Sequence, residues 1–486
     1  MIIDRCADRR QTAALTEDRP LTLADDRPLT LTEYKLQPMA AEKYMIMKKL
    51  LTLACALCML WACNPNGQEP QNTTPSGDTT QVAPPDTAAA VQPDTSTTAD
   101  FDMRQPKPMT FASADEQLLY RTNEFTFNLT SLVCKNSDKK NIILSPLSAS
   151  IMLGLVMNGA DGETLQQMQR TLGFEGLTQA EINEWYKSLI ELLPTLDAET
   201  IVKIANSLWV KNGFPVLPEY IATNQQYFHA ETDNVDMTDP ATAARINQWA
   251  ADNTNDLIKH VVSPEDISEC VMILANALYF KGKWETAFDP EMSHKADFDP
   301  WQEPRIKVDM MEGEISAYYA DVPQGQLLEM GYKGGKYCMD VLLPTKGLDA
   351  RQVVVDLTAD EWKIMLCNLQ STDVWVRFPK FKLTYSRMLT DDLKAAGMPR
   401  ALSPAAEFPH VSQVPTYLSW VKQVCYLAVD ETGTEAAAVT IGGYEATGMP
   451  PEPKEFIVNR PFFLVIRERQ RGNILFTALI GNPEGE

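Results

Sequence analysis

An alternating apolar run, Val421 to Val429, reads as a buried strand. It leads directly into Asp430-Glu431-Thr432-Gly433-Thr434-Glu435-Ala436-Ala437-Ala438-Val439-Thr440. Beyond lies Ile441-Gly442-Gly443-Tyr444-Glu445-Ala446-Thr447-Gly448-Met449-Pro450-Pro451, an exposed-looking stretch closed by prolines. Small residues after a strand fit a plain loop. A flexible linker, however, favours glycine and serine. Ala, Thr and Val can instead be buried in a strand without strain. A segment that is a loop in one state and a strand in another would have this composition, and that dual demand constrains the fold most.

The chain has 486 residues and a net charge of −22. That length allows more than one domain, or one large domain with tails. The acidic balance argues against nucleic acid and anionic membrane surfaces as partners. Nine cysteines are scattered. None makes a CxxC pair with a second pair downstream, so no zinc site is expected, and isolated buried cysteines are. The four histidines, His229, His260, His294 and His410, follow no Gly-x-Ser-x-Gly elbow and form no HExxH motif. No phosphate-binding loop is present. A surface hydrolase remains a rival from another class only because a triad is assembled in space. No cofactor and no metal are expected.

Residues 1–46 do not look like a domain. Asp-Arg-Pro-Leu-Thr-Leu occurs at 18–23 and again at 26–31, which reads as disorder or as translation from a start codon too far upstream. Met47-Lys48-Lys49 and apolar Leu50 to Ala62 then form a secretory signal pattern, too short to span a bilayer comfortably. An ordinary signal peptide or a buried helix also fits that run. Its end, Leu60-Trp61-Ala62-Cys63, resembles a bacterial lipobox, with Trp61 an unusual residue there. That resemblance implies lipidation of Cys63, so 47–63 is read as a signal peptide with a lipobox. Residues 64–112, rich in Pro, Thr, Gln, Asp and Ala, read as a disordered tether. The folded domain is expected at 113–486. It opens with a Ser113-Ala114-Asp115-Glu116 capping box, and Leu118, Thr122, Phe125, Leu129 and Leu132 line one helix face. Asn141 to Leu144 is a strand. Ser145-Pro146 caps a buried helix, and Asp239-Pro240 caps another. Ile201 to Val210, Cys270 to Phe280, Tyr337 to Leu343, Val374 to Phe378, Phe463 to Arg467 and Ile474 to Ile480 are strands. Ser386 to Ala396 is read as a helix stopped by Gly397.

Glu431-Thr432-Gly433-Thr434-Glu435-Ala436-Ala437-Ala438 closely resembles the hinge of the serpins, the suicide protease inhibitors. Asn459-Arg460-Pro461-Phe462-Phe463-Leu464-Val465-Ile466 is similar to the signature that follows their reactive loop. Gly159-Ala160-Asp161-Gly162-Glu163-Thr164, Asn276 to Trp284 and Phe378-Pro379-Lys380-Phe381-Lys382 also fit the family pattern. The resemblance covers about residues 113 to 483. It implies an α+β fold of three β-sheets with about eight or nine helices and an exposed reactive-centre loop.

It further implies a mechanism that needs no catalytic residue. The target protease cuts the loop, a covalent acyl complex forms, and the hinge inserts as a new strand in the main sheet. If Thr434 faces inward, so do Ala436, Ala438, Thr440, Gly442 and Tyr444. Glu435, Ala437, Val439, Ile441, Gly443 and Glu445 then face out. No early inward position is charged or bulky, which favours an inhibitor over a non-inhibitory serpin that only binds. The positions matching the family's sheet-opening cluster are Ser145, Pro146, Ser148, Asn276 and Trp284, with Gln423 where relatives carry histidine. Ordinary core or capping duty also fits each of them. Counting from Glu431 puts the reactive bond at Thr447-Gly448, with Ala446, Gly448 or Met449 as alternatives for its first residue. Between Val439 and Pro453 there is no Lys or Arg. Elastase-like targets are therefore expected, with papain-like cysteine proteases as a further class and poor inhibition of trypsin. The helix near Thr178 to Leu193, with Glu181, Glu184 and Glu191 against Lys187, implies no heparin activation. The expected protein is a secreted monomer, attached to a bacterial membrane or cell surface only through its lipid.

Overall fold

The computed structural model describes residues 2–4, 113–434 and 453–485. Among them are seventeen strands, β1 to β17 in chain order, and ten α-helices, α1 to α10. They make the expected α+β architecture with three sheets.

The largest sheet runs β15 (Lys454–Ile457), β10 (Gln370–Pro379), β7 (Ile306–Val322), β8 (Gly325–Gly331), β9 (Tyr337–Pro344), β16 (Phe462–Glu468), β17 (Ile474–Ile480) and β2 (Asn141–Leu144). β6 (His294–Phe298) also pairs with β7. Every residue of β9, β16 and β17 is buried. Their near-continuous apolar runs follow from having both faces covered.

The second sheet runs β12 (Tyr417–Trp420), β1 (Ile2–Asp4), β5 (Cys270–Lys283), β3 (Ile201–Lys211) and β4 (Glu231–Val235). β14 (Gly433–Thr434) pairs with the other end of β5. The third sheet is β11 (Phe381–Met388) with β13 (Lys422–Val429). Only Val421 separates β12 from β13, so the third sheet continues the second. β5 and β13 thus border one slot, with β14 at its head and β1 between β5 and β12 at its far end.

α2 (Pro146–Met157) is buried along its whole length beside β5 and β17. Ser145 caps it, and Pro146 suits the first turn, where an amide hydrogen would lack a partner. α6 (Pro240–Asn253), capped by Asp239, packs Ile246 and Trp249 into a cluster with Trp209 and Ile273 of the second sheet. The remaining helices are α1 (Ser113–Lys135), α3 (Gly162–Leu172), α4 (Gln179–Leu192), α5 (Pro218–Phe228), α7 (Pro264–Ile267), α8 (Ala350–Asp356), α9 (Ala359–Cys367) and α10 (Thr390–Ala396). None of the described helices is long and apolar enough to cross a membrane.

Three local readings change. Ser386 to Met388 belong to β11, paired with Lys422 to Val424, so the helix shrinks to Thr390–Ala396 before Gly397. Pairing across the sheet overrode local helix propensity there. Ser113 is itself helical rather than the residue before the helix, within the usual uncertainty of a helix end. Cys134, Cys270, Cys338 and Cys425 are buried, but Cys367 is exposed at the end of α9.

Candidate functional site

The site is the slot between β5 and β13, together with the chain that enters it. β13 ends at Val429, and Asp430 to Gly433 reverse direction. The Asp430 carboxylate accepts from the amides of Thr432 at 2.8 Å and Gly433 at 3.2 Å and from the Thr432 hydroxyl. Backbone bonds between Asp430 and Gly433 close the turn. The chain then runs antiparallel to β5, with Gly433 opposite Lys283 and Thr434 opposite Gly282. Gly433 has φ +150°, and a Cβ there would lie 2.1 Å from the Gly282 carbonyl oxygen. Only glycine passes so close to a neighbouring backbone.

Thr434 is 3 % exposed, and its hydroxyl is paired with that of Tyr332 at 2.6 Å. Its side chain therefore points inward. Trp284 closes the head of the slot. Its amide donates to the Thr432 carbonyl at 2.9 Å and its indole Nε1 to the Asp430 carbonyl at 3.0 Å. Its ring stacks on Tyr332, with centroids 4.8 Å apart. Glu431 accepts from Ser293 at 2.6 Å and Lys380 at 2.9 Å. Burial disfavours its charge, but these two donors outweigh that and hold its carboxyl below the usual range.

Midway down the slot a polar chain crosses beneath it. The Gln423 side chain of β13 donates to the Ser145 carbonyl at 2.8 Å and accepts from the Ser145 amide at 3.1 Å. The Ser145 hydroxyl donates to the Leu475 carbonyl and caps the Ser148 amide. Ser148 donates to Asn276 of β5, and Asn276 donates to Asn206 of β3 at 2.8 Å. One hydrogen-bond path thus joins the two banks through the first turn of α2, which Pro146 starts. Gln423 both donates and accepts here, and a glutamine amide does not titrate near neutral pH.

A cavity of about 110 Å³ lies along the slot, with Ser148, Asn276, Gln423, Ile246, Trp249 and Thr434 among its lining.

The structure brings together Glu431, Gly433, Thr434 and Trp284 at the head, and Ser145, Pro146, Ser148, Asn276 and Gln423 beneath. Glu435, Ala436, Ala437, Ala438, Val439 and Thr440, the Thr447-Gly448 bond and Cys63 lie outside the described residues. Sequence reasoning missed Tyr332, Asn206, Ser293 and Lys380 as site residues. An asparagine facing another in two apolar strands was a signal for Asn206; Tyr332 offered none.

Elsewhere, Glu329, Cys338 and Asp340 come close enough to suggest a metal site. Arg467 and Arg469 already occupy their carboxylate oxygens: Arg467 donates to Glu329 and Asp340, and Arg469 donates to Glu329 at 2.8 Å. This donor set is a buried ion network and does not fit a cation.

Comparison with known proteins agrees with this geometry. Residues 120–483 match the family model described as "Serpin (serine protease inhibitor)". The neuroserpin of Gallus gallus is 31 % identical over 378 residues, covering 74 % of this chain and 90 % of that protein. The neuroserpin of Homo sapiens is 30 % identical over 375 residues, with the same coverage. The crystal structure of Tengpin, a thermophilic serpin in the native state, superposes with a TM-score of 0.69 at 28 % identity, covering 78 % of this chain and 97 % of Tengpin. A family match over most of the chain, with relatives about 30 % identical across nine-tenths of their own length, establishes that this chain belongs to the serpins, a family of suicide-substrate protease inhibitors rather than catalysts.

Proposed function

We propose that this chain inhibits serine endopeptidases by presenting the loop beyond Thr434 as a substrate and inserting it between β5 and β13 once it is cut. The observation that carries this reading is the pairing of Gly433 and Thr434 with β5, which starts a strand at the head of the slot. Serpin loops are an established case of strand addition and strain release. Continued residue by residue, this register sets Ala436 opposite Phe280, Ala438 opposite Leu278, Thr440 opposite Asn276 and Tyr444 opposite Met272. Small inward side chains then meet the narrow cavity. Thr440 arrives at the polar crossing, where Asn276 and Gln423 can take up its hydroxyl. About ten new ladder bonds, at roughly 1 kcal/mol net each, give on the order of 10 kcal/mol for insertion. The uncut state is therefore kinetically trapped.

Thr447-Gly448 is the bond assigned to the protease, and the absence of Lys and Arg nearby points to elastase-like enzymes, with papain-like cysteine proteases as a further class. Glu431 to Thr440 act as the hinge, and Ser145, Pro146, Ser148, Asn276, Trp284 and Gln423 control the opening of the sheet. On α4, Lys187 is the lone basic residue beside Glu181, Glu184 and Glu191, so no activation by heparin is expected. The protein works as a secreted monomer held to a bacterial membrane or surface through Cys63 and the 64–112 tether. Processing at Cys63 would also remove Ile2–Asp4 and leave the far end of the slot open to the loop.

Incubating the purified protein with a protease panel tests this. Denaturant-stable covalent complexes with elastase-like enzymes are expected, together with a sharp rise in thermal stability after loop cleavage. Cleavage without complex or stabilisation would leave the alternative, a non-inhibitory serpin acting as a binding protein.

A further inference from the structure

We propose that Tyr332 is a positioning residue that holds the resting hinge two residues inside the sheet and sets the register from which the rest of the loop enters. Its hydroxyl does this by pairing with that of Thr434.

Three observations carry the assignment. The phenol cannot move aside. Its ring is stacked on Trp284, meets Phe280 edge-on at 5.0 Å, and lies flat against Gly282, where a Cβ would come within 2.6 Å of it. Its backbone is tied down as well, through bonds from the Tyr332 amide to Tyr337 and from the Lys333 amide to Lys283. Both hydroxyls are buried, Tyr332 at 0 % exposure and Thr434 at 3 %, and among the described residues each finds its hydrogen bond in the other, across 2.6 Å. Finally, Thr434 stands opposite Gly282, the residue on which the Tyr332 ring rests. A slip of one residue would present Gly433, which has no side chain, or Glu435, whose charge would be buried. The tyrosine therefore accepts one register and rejects its neighbours. Burial pushes the phenol far above its ordinary pKa, so its proton stays in place at any working pH.

A bond present both before and after insertion adds nothing to the driving force of insertion. It acts on the start instead, because the first two ladder positions are already occupied when the protease cuts. The kinetic consequence rests on the inhibitory reading above; the hinge geometry does not.

Hydrogen exchange of the hinge amides tests the proposal without any protease. Tyr332→Phe keeps the ring and removes the hydroxyl. It should speed exchange at Gly433 and Thr434 about tenfold, the scale of one lost buried hydrogen bond. Thr434→Val should do the same, and the double variant should be no faster than either single one. Thr434→Ser should restore slow exchange. Unchanged exchange in Tyr332→Phe, or additive effects in the double variant, overturns the proposal. With a target protease, Tyr332→Phe should raise the number of inhibitor molecules consumed per enzyme trapped while leaving the thermal gain on cleavage unaltered. Failure of the wild type to trap any protease, with exchange as expected, counts against the inhibitory reading and leaves the positioning role standing.

Discussion

At the scale of single residues the proposed hinge begins as a sequence of size limits. Gly433 meets backbone, Thr434 meets a fixed phenol, and the next inward residue by parity is Ala436. Thr434→Arg breaks this order at its tightest point. It would bury an unpaired guanidinium where threonine is 3 % exposed, costing several kcal/mol. Entry of the loop should slow enough for hydrolysis to finish, so the variant is cleaved as a substrate and no covalent complex accumulates. Titration of enzyme activity against inhibitor measures this, and an unchanged stoichiometry would refute it. That Thr434 faces inward fits the parity expected from the sequence, because side-chain size and alternation are local properties. Tyr332 was not legible there, because it lies 102 positions from Thr434 in the chain and is an ordinary apolar-strand neighbour until the fold places its hydroxyl.

At the scale of elements, the large sheet holds a charge network beside the slot. Arg467 on β16 bridges Glu329 on β8 and Asp340 on β9, and Arg469 links Glu329 to Glu285, the neighbour of Trp284. Arg467→Met would strand two buried carboxylates and should cost about 3–5 kcal/mol, read as a lowered thermal midpoint. Asp340 gives the network a pH dependence. Burial pushes its carboxyl up to about 6, with Arg467 opposing and Glu329 adding to the shift. Since the folded value lies above the unfolded value of about 3.9, its stabilising contribution is complete below that pH and is lost as pH rises through about 6. Asp340→Asn should remove this downward slope, seen by comparing thermal midpoints of variant and wild type at low and neutral pH. A slope that persists in the variant would show that another group carries it. The three buried charged strands read as plain apolar elements in sequence, since a lone Glu, Asp or Arg in such a run does not reveal its partners. The same limit misplaced Ser386 to Met388, whose strand character comes from pairing with β13.

At the scale of the whole molecule, the proposed reading divides the chain into an anchor at Cys63, a tether and an inhibitory domain that takes up its own loop as a strand. If Cys63 is acylated, Cys63→Ser should release the protein from the membrane fraction without loss of inhibition, and a variant that stays bound would contradict the anchor. The loop must also be long enough for the hinge to reach down the slot while the cut end travels with it. That requirement ties specificity to position. A bond about seventeen residues into the segment that starts at Glu431 falls at Thr447-Gly448, and Pro450-Pro451 just beyond it agrees with the placement. The segment from Pro451 to Pro461 is long enough that Ala446, Gly448 or Met449 could precede the bond instead. None of these choices alters the absence of Lys and Arg between Val439 and Pro453. A trypsin-like pocket with a buried carboxylate finds no partner for its charge there, whereas a shallow elastase-type pocket accepts Ala446 or Thr447. Beyond the loop, β15 pairs with β10 from Lys454 onward and buries Phe456, so chain past Lys454 is held in a sheet and withheld from a protease cleft. Mass spectrometry of the C-terminal peptide released by an elastase-like protease should therefore find a fragment that begins at Gly448. A fragment beginning after Lys454, accompanied by fast inhibition of trypsin, would overturn both the bond and the specificity.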